Sequence, residues 1–419
     1  MLATNTPSSQ QASWAANIDF ERIIRWVGYA AVAAFFVWLL PQVGDNPRGY
    51  IQATISGFLT GGIYALVAVG IVMINKASGV FNFAHGAMML ITSLVFYSFF
   101  TTSTDDYNIF VIVALVVSTV VIFLAMNSWR DLLNPVSLGI GAVASVVLIG
   151  LMYVGGDSWT LIHALVGSIT TAILIGLMIE RFSIRPLVGQ PIFTLILMTL
   201  ALERIFYGLS IMIWGSIDKS LNLFGGILDQ SGAVENPAWK LPRTIRVDVS
   251  PFLDESARLT NINLDSRLVI AFGIAILIFA AFVLFFQKTN VGLAMRATSE
   301  NQVLAQSVGM RVRAILAAAW GIATLLALAA GVLYGGAAQI GTGMPGLVFL
   351  AFPAVLLGGL ESISGALIGG LIIGIVQLWA DTLLPGTQAG TQLAPYVILM
   401  IVLVIRPDGL FGQKRIERI

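Results

Sequence analysis

Leu268-Val-Ile-Ala-Phe-Gly-Ile-Ala-Ile-Leu-Ile-Phe-Ala-Ala-Phe-Val-Leu-Phe-Phe286 runs for 19 residues without one charged or hydrogen-bonding side chain. Asp265-Ser266-Arg267 precedes it and Gln287-Lys288 comes after it. At 1.5 Å per residue such a helix is about 28 Å long, which matches a hydrocarbon core of ~30 Å. Comparable runs lie near 23–41, 52–74, 82–100, 107–126, 136–154 and 160–179, and in the second half near 192–214, 268–286, 314–334, 346–359, 363–379 and 393–405. The expected fold is an all-α polytopic membrane protein with about twelve transmembrane or re-entrant helices. The segments 346–359 and 393–405 are short for full spans, and broken or re-entrant helices fit there if protein covers their backbone.

Composition agrees with this. Of 419 residues, 58% are apolar and 10% charged, against roughly 45–50% and about 25% in soluble domains. With 22 basic and 21 acidic residues the net charge is +1, which leaves no basic footprint for nucleic acid. The absence of cysteine excludes disulfides and thiolate metal sites, and two histidines, His85 and His163, are too few for a histidine-rich metal centre. None of the five lysines follows a glycine, so the chain lacks a phosphate loop. We expect neither catalysis nor a cofactor.

Lysine and arginine bias a loop toward the cytoplasm. Alternating the segments from a cytoplasmic N-terminus places 14 basic residues inside and 7 outside, with Arg204 within a segment. Both termini of this multi-pass chain are therefore expected inside. Residues 1–50 read as an N-terminal extension carrying an extra membrane anchor that is retained. Residues 51–419 read as one membrane domain, with extra helices at about 101–159, an extracytoplasmic loop at about 216–267 and a cytoplasmic loop at about 288–313.

That cytoplasmic loop carries a second signal. Ser299 with Gln302 three residues later forms a capping box, Glu300 suits the first helical turn, and Gly309 is a natural terminator. A helix over 300–308 is expected, with Val303, Leu304 and Val308 on its apolar face. So short a helix is marginal alone in water and needs a surface to lie against. That surface is either lipid and the protein's own bundle, or a partner ATPase.

An acidic residue, an alanine and a glycine nine residues after that acid resemble the loop by which ABC importer permeases dock on their ATPases. The wider chain resembles the branched-chain amino acid permeases of the LivH-like subtype. The resemblance rests on Gly61-Gly-Ile-Tyr-Ala-Leu66, Gly79-Val-Phe-Asn-Phe-Ala-His-Gly86, Glu180-Arg-Phe-Ser-Ile-Arg-Pro-Leu187, Trp214-Gly215, Gly292 to Gly309, Leu357 to Gly370 and Arg406-Pro-Asp-Gly-Leu-Phe-Gly412, in the family's order. These blocks cover roughly 250 residues. The resemblance implies a heteromeric pore with a second homologous permease subunit, ATP-binding cassette subunits below and a periplasmic or lipid-anchored solute-binding protein above. The implied solute is a branched-chain amino acid, with urea, amides or small organic acids as relatives. Glu300, Val303, Leu304, Val308 and Gly309 would then couple the permease to ATP hydrolysis.

Other residues have two readings each. Asn82 and His85, three apart on one helical face, lie in a block that the resemblance places beside the translocation path; alternatively His85 bonds a neighbouring carbonyl. Glu203 and Arg204 sit mid-segment, where a charge costs ~2.5–3.5 kcal/mol on insertion scales. They form either a polar gate for a zwitterionic solute or interhelical glue, and pointing about 100° apart they are not expected to pair. Gly341-Thr-Gly343-Met-Pro-Gly346 is either a broken helix exposing backbone to a cavity or an outer turn. Gly365, Gly369, Gly370 and Gly374 read as packing residues. A secondary, ion-coupled transporter is the alternative function, with Glu203 as its proton carrier; a membrane-embedded enzyme lacks catalytic groups.

Overall fold

The computed structural model describes residues 41–101, 160–187, 189–225, 241–248 and 261–412, with isolated helical positions at 26, 30, 34, 37, 139 and 143. The expected segments near 107–126 and 136–154, and nearly all of 23–41, lie outside the described residues. Within them the helices run α1 (Pro47–Ser78), α2 (His85–Thr101), α3 (Thr160–Met178), α4 (Ile192–Trp214), α5 (Ser266–Lys288), α6 (Asn290–Glu300), α7 (Gln302–Ser307), α8 (Val312–Ala337), α9 (Leu347–Gly358), α10 (Ile363–Leu383) and α11 (Gln388–Ile405). Six helical stretches are long and apolar enough to cross a membrane: α1, α3 with its continuation to Leu187, α4, α5, α8 and α10. Three apolar helices are shorter, at His85–Thr101, Met344–Gly358 and Gln392–Ile405. Nine of the twelve expected segments thus fall on apolar helices.

The packing is organised around α1, whose apolar window is 89% buried, against 17% for α5. A helix apolar on every face is either buried or lipid-facing, and glycines decide which. A Cβ on Gly57 would lie 2.6 Å from the Gly374 carbonyl oxygen, and one on Gly61 would lie 2.7 Å from the Leu371 Cα. The α1 and α10 backbones therefore touch directly, as membrane helices do where lipid supplies no hydrophobic drive. Gly365 and Gly369, on another face of α10, meet Gly358 and Ala354 of α9 in the same way. The packing role expected for these glycines holds.

Two ends of the molecule are well defined. At one, the Lys76 Nζ donates to the Glu361 carbonyl (3.1 Å) and the Gln302 Nε2 to the Ala77 carbonyl (3.3 Å), which brings the end of α1, the start of α10 and α7 together. At the other, strands β1 (Thr244–Asp248) and β2 (Asn261–Asp265) pair antiparallel, with Thr244 opposite Asp265. The Gln52 side chain accepts from the Asn263 N–H (3.0 Å) and donates to its carbonyl, which fastens this hairpin to the start of α1. The polar stretch 216–267 reads in the sequence as a loop alone, so the hairpin is an addition to the all-α expectation. Asp265 caps α5 by accepting from the Arg267 N–H (2.9 Å). Burial pushes its carboxyl up, but the hydrogen bonds and charge of Arg267, with Arg243, hold it below the usual range.

α3 widens into a π-helical turn at Ile179–Ile184. The five-residue register puts Glu180 and Arg185 on one face, and the guanidinium meets the buried carboxylate at 3.0 and 2.6 Å.

The α1/α10 crossing makes a stability prediction. Gly374→Leu forces apart two backbones that cannot retreat as side chains do, at a loss of about 1–3 kcal/mol or more. Gly273→Ala, on α5 with nothing within 4 Å of its Cβ position, leaves the melting midpoint unchanged or raises it. Equal midpoints for the two variants in detergent would sink the crossing.

Candidate functional site

After α1 ends at Ser78, the chain does not turn straight into the next helix. Gly79 takes a left-handed conformation (φ 69°) and Val80-Phe81-Asn82-Phe83 run without regular structure before α2 begins. The stretch goes back alongside the helix it has left. The His85 ring packs on Gly70, where a Cβ would overlap it, and Gly70 is eight residues, roughly 12 Å, from the end of α1. α2 therefore starts partway across the bundle.

The sequence settles that start locally. Asn82 is wholly buried, and its Oδ1 accepts from the Ala84 N–H at 3.0 Å while its carbonyl accepts from the His85 N–H. Its Nδ2 faces the Met88 sulfur (3.4 Å). Asn82 thus caps α2. His85 is also wholly buried, but neither ring nitrogen has a hydrogen-bond partner, so the carbonyl contact expected as one reading is not formed. Phe83 N–H lies 3.4 Å from the Thr199 hydroxyl, which donates to the Ile196 carbonyl (2.9 Å).

A second break mirrors the first. α8 ends at Ala337, Ile340 exchanges two backbone hydrogen bonds with Lys219 (2.7 and 2.9 Å), and a 3-10 turn at Met344–Gly346 leads into the twelve-residue α9. A Cβ on Gly341 would overlap the Asp218 carboxylate, whereas Gly343 faces open space. The Gly341 and Gly343 carbonyls accept from the Met344 and Gly346 N–H groups (3.0 Å each). Between α8 and α9 the 341–346 run is thus a hydrogen-bonded turn and one 3-10 turn. The two breaks meet, since a Cβ on Gly86 would fall on the Pro345 backbone.

An aromatic cluster joins the first break to α9. Phe81 packs on Phe83 (centroids 4.9 Å) and edge-on to Phe352 of α9 (4.7 Å), with Phe83 and Phe352 stacked at 6.3 Å. All three stay half-buried at the edge of the bundle. Neither Phe352 nor Thr199 stands out in the sequence. Phe81-x-Phe83 around a capping asparagine is a legible cue, but only the fold brings Phe352 to it.

Glu203 lies one turn beyond Thr199 on α4, on the same face. Its carboxylate meets the Arg204 guanidinium at 2.5 Å, with the side chains 13% and 73% exposed. This corrects the expectation that neighbours about 100° apart do not pair. The long arginine stem swings back across the helix and also lies over the Tyr207 ring at 5.8 Å.

At the end of the molecule away from the hairpin, the loop after α5 departs from expectation in detail. Ser299 is inside α6, its hydroxyl donating to the Arg296 carbonyl (2.7 Å), and Glu300 ends that helix. The cap of the next helix is Asn301, whose Oδ1 accepts from the Leu304 N–H at 2.9 Å. The expected single helix 300–308 is instead the end of α6, a break at Asn301 and the six-residue α7. Asparagine competes with serine as a cap, and Asn301 has the extended backbone a cap needs. The terminator sits at the expected residue: Gly309 has φ 84°, its N–H bonds the Gln306 carbonyl (3.0 Å) and Met310 N–H bonds Ala305 (3.1 Å). That is the paired 6→1 and 5→2 closure of a Schellman motif. Ala305 is buried, while Leu304 and Val308 are 62% and 69% exposed. Val303 belongs to α7, and Glu300 is exposed.

These are the features of an integral membrane protein with a broken-helix crossing inside and a capped apolar knob at one end. Residues 136–405 match the family of the branched-chain amino acid transport system, permease component. The chain belongs to that family. It is 26% identical over 374 residues to the high-affinity branched-chain amino acid transport system permease protein BraD of Pseudomonas aeruginosa, covering 88% of this chain and 98% of that one. It is 25% identical over 377 residues to LivH of Escherichia coli, with the same coverage. A probable branched-chain amino acid transport permease protein LivH of Methanocaldococcus jannaschii is 34% identical over 155 residues, 35% of this chain and 49% of that one. No solved structure matches.

His85→Leu tests whether the histidine borders a solute path or only fills space. Removing two unpaired buried nitrogens leaves the melting midpoint unchanged or raises it, by about 1 kcal/mol of stability. Uptake in proteoliposomes is expected to fall, because the ring borders the crossing. Unchanged uptake would assign His85 to packing alone.

Proposed function

We propose that the chain is the membrane-spanning subunit of an ATP-driven importer, providing the path for a small amino-acid-like solute. A branched-chain amino acid is the first choice, as the names of its relatives indicate; urea, an amide or a small organic acid are the others. ATP-binding cassette subunits would dock on α6 and α7, a second homologous permease subunit would complete the path, and a periplasmic or lipid-anchored solute-binding protein would deliver the solute. The membrane would be the bacterial inner membrane, crossed in several passes by the 51–419 domain, with both termini and the 288–313 loop in the cytoplasm. The 1–50 extension and the extra helices near 101–159 would be additions to that domain.

The observation that carries the reading is α7. A six-residue helix closed at both ends, with Leu304 and Val308 projecting one turn apart, presents apolar area outside the bundle. Its position supports a coupling role. The Gln302 amide holds the Ala77 carbonyl two residues before the first break begins, and Met310-Arg311 leads straight into α8, whose far end feeds the second. Closure of the ATPases would move α7, and that movement would reach both broken helices through one hydrogen bond and one covalent connection. The crossing of Gly86 with Pro345, ringed by Phe81, Phe83 and Phe352, would be the solute path, with Asn82, His85, Gly341 and Gly343 in its walls. Because those rings are half-exposed, the path would close against the second subunit. An ion-coupled carrier draws less support, since Glu203 already faces Arg204.

Leu304→Asp is expected to abolish co-purification of ATPase subunits while leaving the permease folded, because the side chain is exposed. Gly309→Val should weaken the same association, since its φ of 84° is costly for a β-branched residue. Glu203→Gln should leave ATP-dependent uptake in place. Retained association in Leu304→Asp would remove α7 as the docking element, and loss of uptake only in Glu203→Gln would favour the carrier.

A further inference from the structure

At the end of the molecule that carries α6 and α7, a cavity of about 500 Å³ opens between the ends of α1 and α5, α6 and the start of α10. Its two halves differ in chemistry. One is charged: Lys76 from α1 and Arg296 from α6 both line it. Neither cation is neutralised there. The Lys76 ammonium donates to the Glu361 backbone carbonyl (3.1 Å), and the Arg296 guanidinium donates to the Phe286 and Gln287 carbonyls. Among the described residues the ion pairs are Arg185–Glu180, Arg204–Glu203 and Arg267–Asp265, so neither cation meets a carboxylate. The Glu361 side chain is exposed on the rim and leaves the lining one positive charge in excess. Hydroxyls of Ser362 and Ser364, 3.3 Å apart at the first turn of α10, complete this half.

The other half is apolar. Phe279, Val283 and Phe286 are spaced i, i+4 and i+7 along α5 and line the cavity as one stripe. It is about 10 Å long at 1.5 Å per residue. The stripe leads from the cationic end into the part of α5 whose other faces point away from the bundle.

We propose that this cavity binds an anionic phospholipid of the leaflet on that side, with its phosphate on Lys76 and Arg296 and an acyl chain along Phe279, Val283 and Phe286. Basic pockets between membrane helices take anionic headgroups where the cations lie at headgroup level, and here they lie at the helix ends. A free anion would use only the charged half and leave the aromatic stripe uncovered. A zwitterionic lipid would bring its own cation to a site that already has one to spare. The site joins α6, which leads into α7, to α1 and α10, so an occupied cavity fixes the base of the coupling loop.

The test uses the full chain, delipidated in neutral detergent, with bound lipid read by native mass spectrometry and stability by melting midpoint. Phosphatidylglycerol should bind at least tenfold more tightly than phosphatidylcholine of the same chains and raise the midpoint. Inorganic phosphate alone should do neither. Lys76→Gln should weaken phosphatidylglycerol binding at least fivefold, Glu361→Gln should strengthen it, and Val283→Trp should weaken it by filling the apolar half. If Arg296→Gln fails to fold because the Phe286 and Gln287 carbonyls lose their donor, the Lys76 and Val283 variants still decide. Equal retention of both lipids, or insensitivity to Lys76→Gln, overturns the proposal, and a phosphate effect matching that of the lipid makes the cavity a free-anion site. No ATPase enters the measurement, so its failure leaves the docking role of α7 untouched, and the reverse.

Discussion

An unpaired backbone amide or carbonyl in hydrocarbon costs several kcal/mol, and this constraint orders the rest of the structure. The chain leaves helical geometry at two places inside the bundle, at 79–84 and at 338–346. Both must be surrounded by protein. The helices that precede them, α1 and α8, are the most buried of the long helices, with windows 89% and 61% buried, while α4 and α5 are at 22% and 17%. The direct α1/α10 contact through Gly57, Gly61 and Gly374 meets the same need. Close backbones leave no room for lipid between α1 and α10.

The breaks are oppositely directed. α1 runs from the hairpin end to the α7 end before its break, and α8 runs from the α7 end toward the other. Each gives way to a short helix, α2 or α9, that starts partway across. Two helix starts therefore meet at one place, each with a positive dipole end. Their first N–H groups are only partly satisfied, by Asn82 in one case and by a 3-10 turn in the other. On the proposed reading the lost helical hydrogen bonds serve transport, because a solute needs polar groups that a continuous helix would hide.

Much of this is legible in the sequence, because spans obey one-dimensional rules. Length and charge locate nine of the apolar helices, and the order of the family's blocks points to the family. Gly309 stands out as a terminator because left-handed geometry favours one residue type. The departures share a cause, which is that side-chain reach and three-dimensional neighbours do not appear in spacing. Ser299 and Asn301 are both good caps, and only the extended backbone at Asn301 decides between them. Glu203 and Arg204 pair because arginine is long enough to defeat the helical angle. Phe352 is 269 residues after Phe83, and its place beside it depends on the breaks themselves.

The location of the rigid and the exposed parts then bears on how such a subunit switches. α1 is clamped along its length, so on the proposed coupling role a movement imposed at Gln302 would not bend it easily and would pass instead to the linker at its end. That linker begins with Gly79, whose backbone freedom makes it the softest residue between α1 and α2. The Phe81, Phe83 and Phe352 rings are already half-exposed, so on that reading a small shift of the 79–84 stretch would change which face of the cluster is open without unpacking the core. On the proposed reading such a gate would need no titrating group and no covalent step, because its energy would come from the docked ATPases.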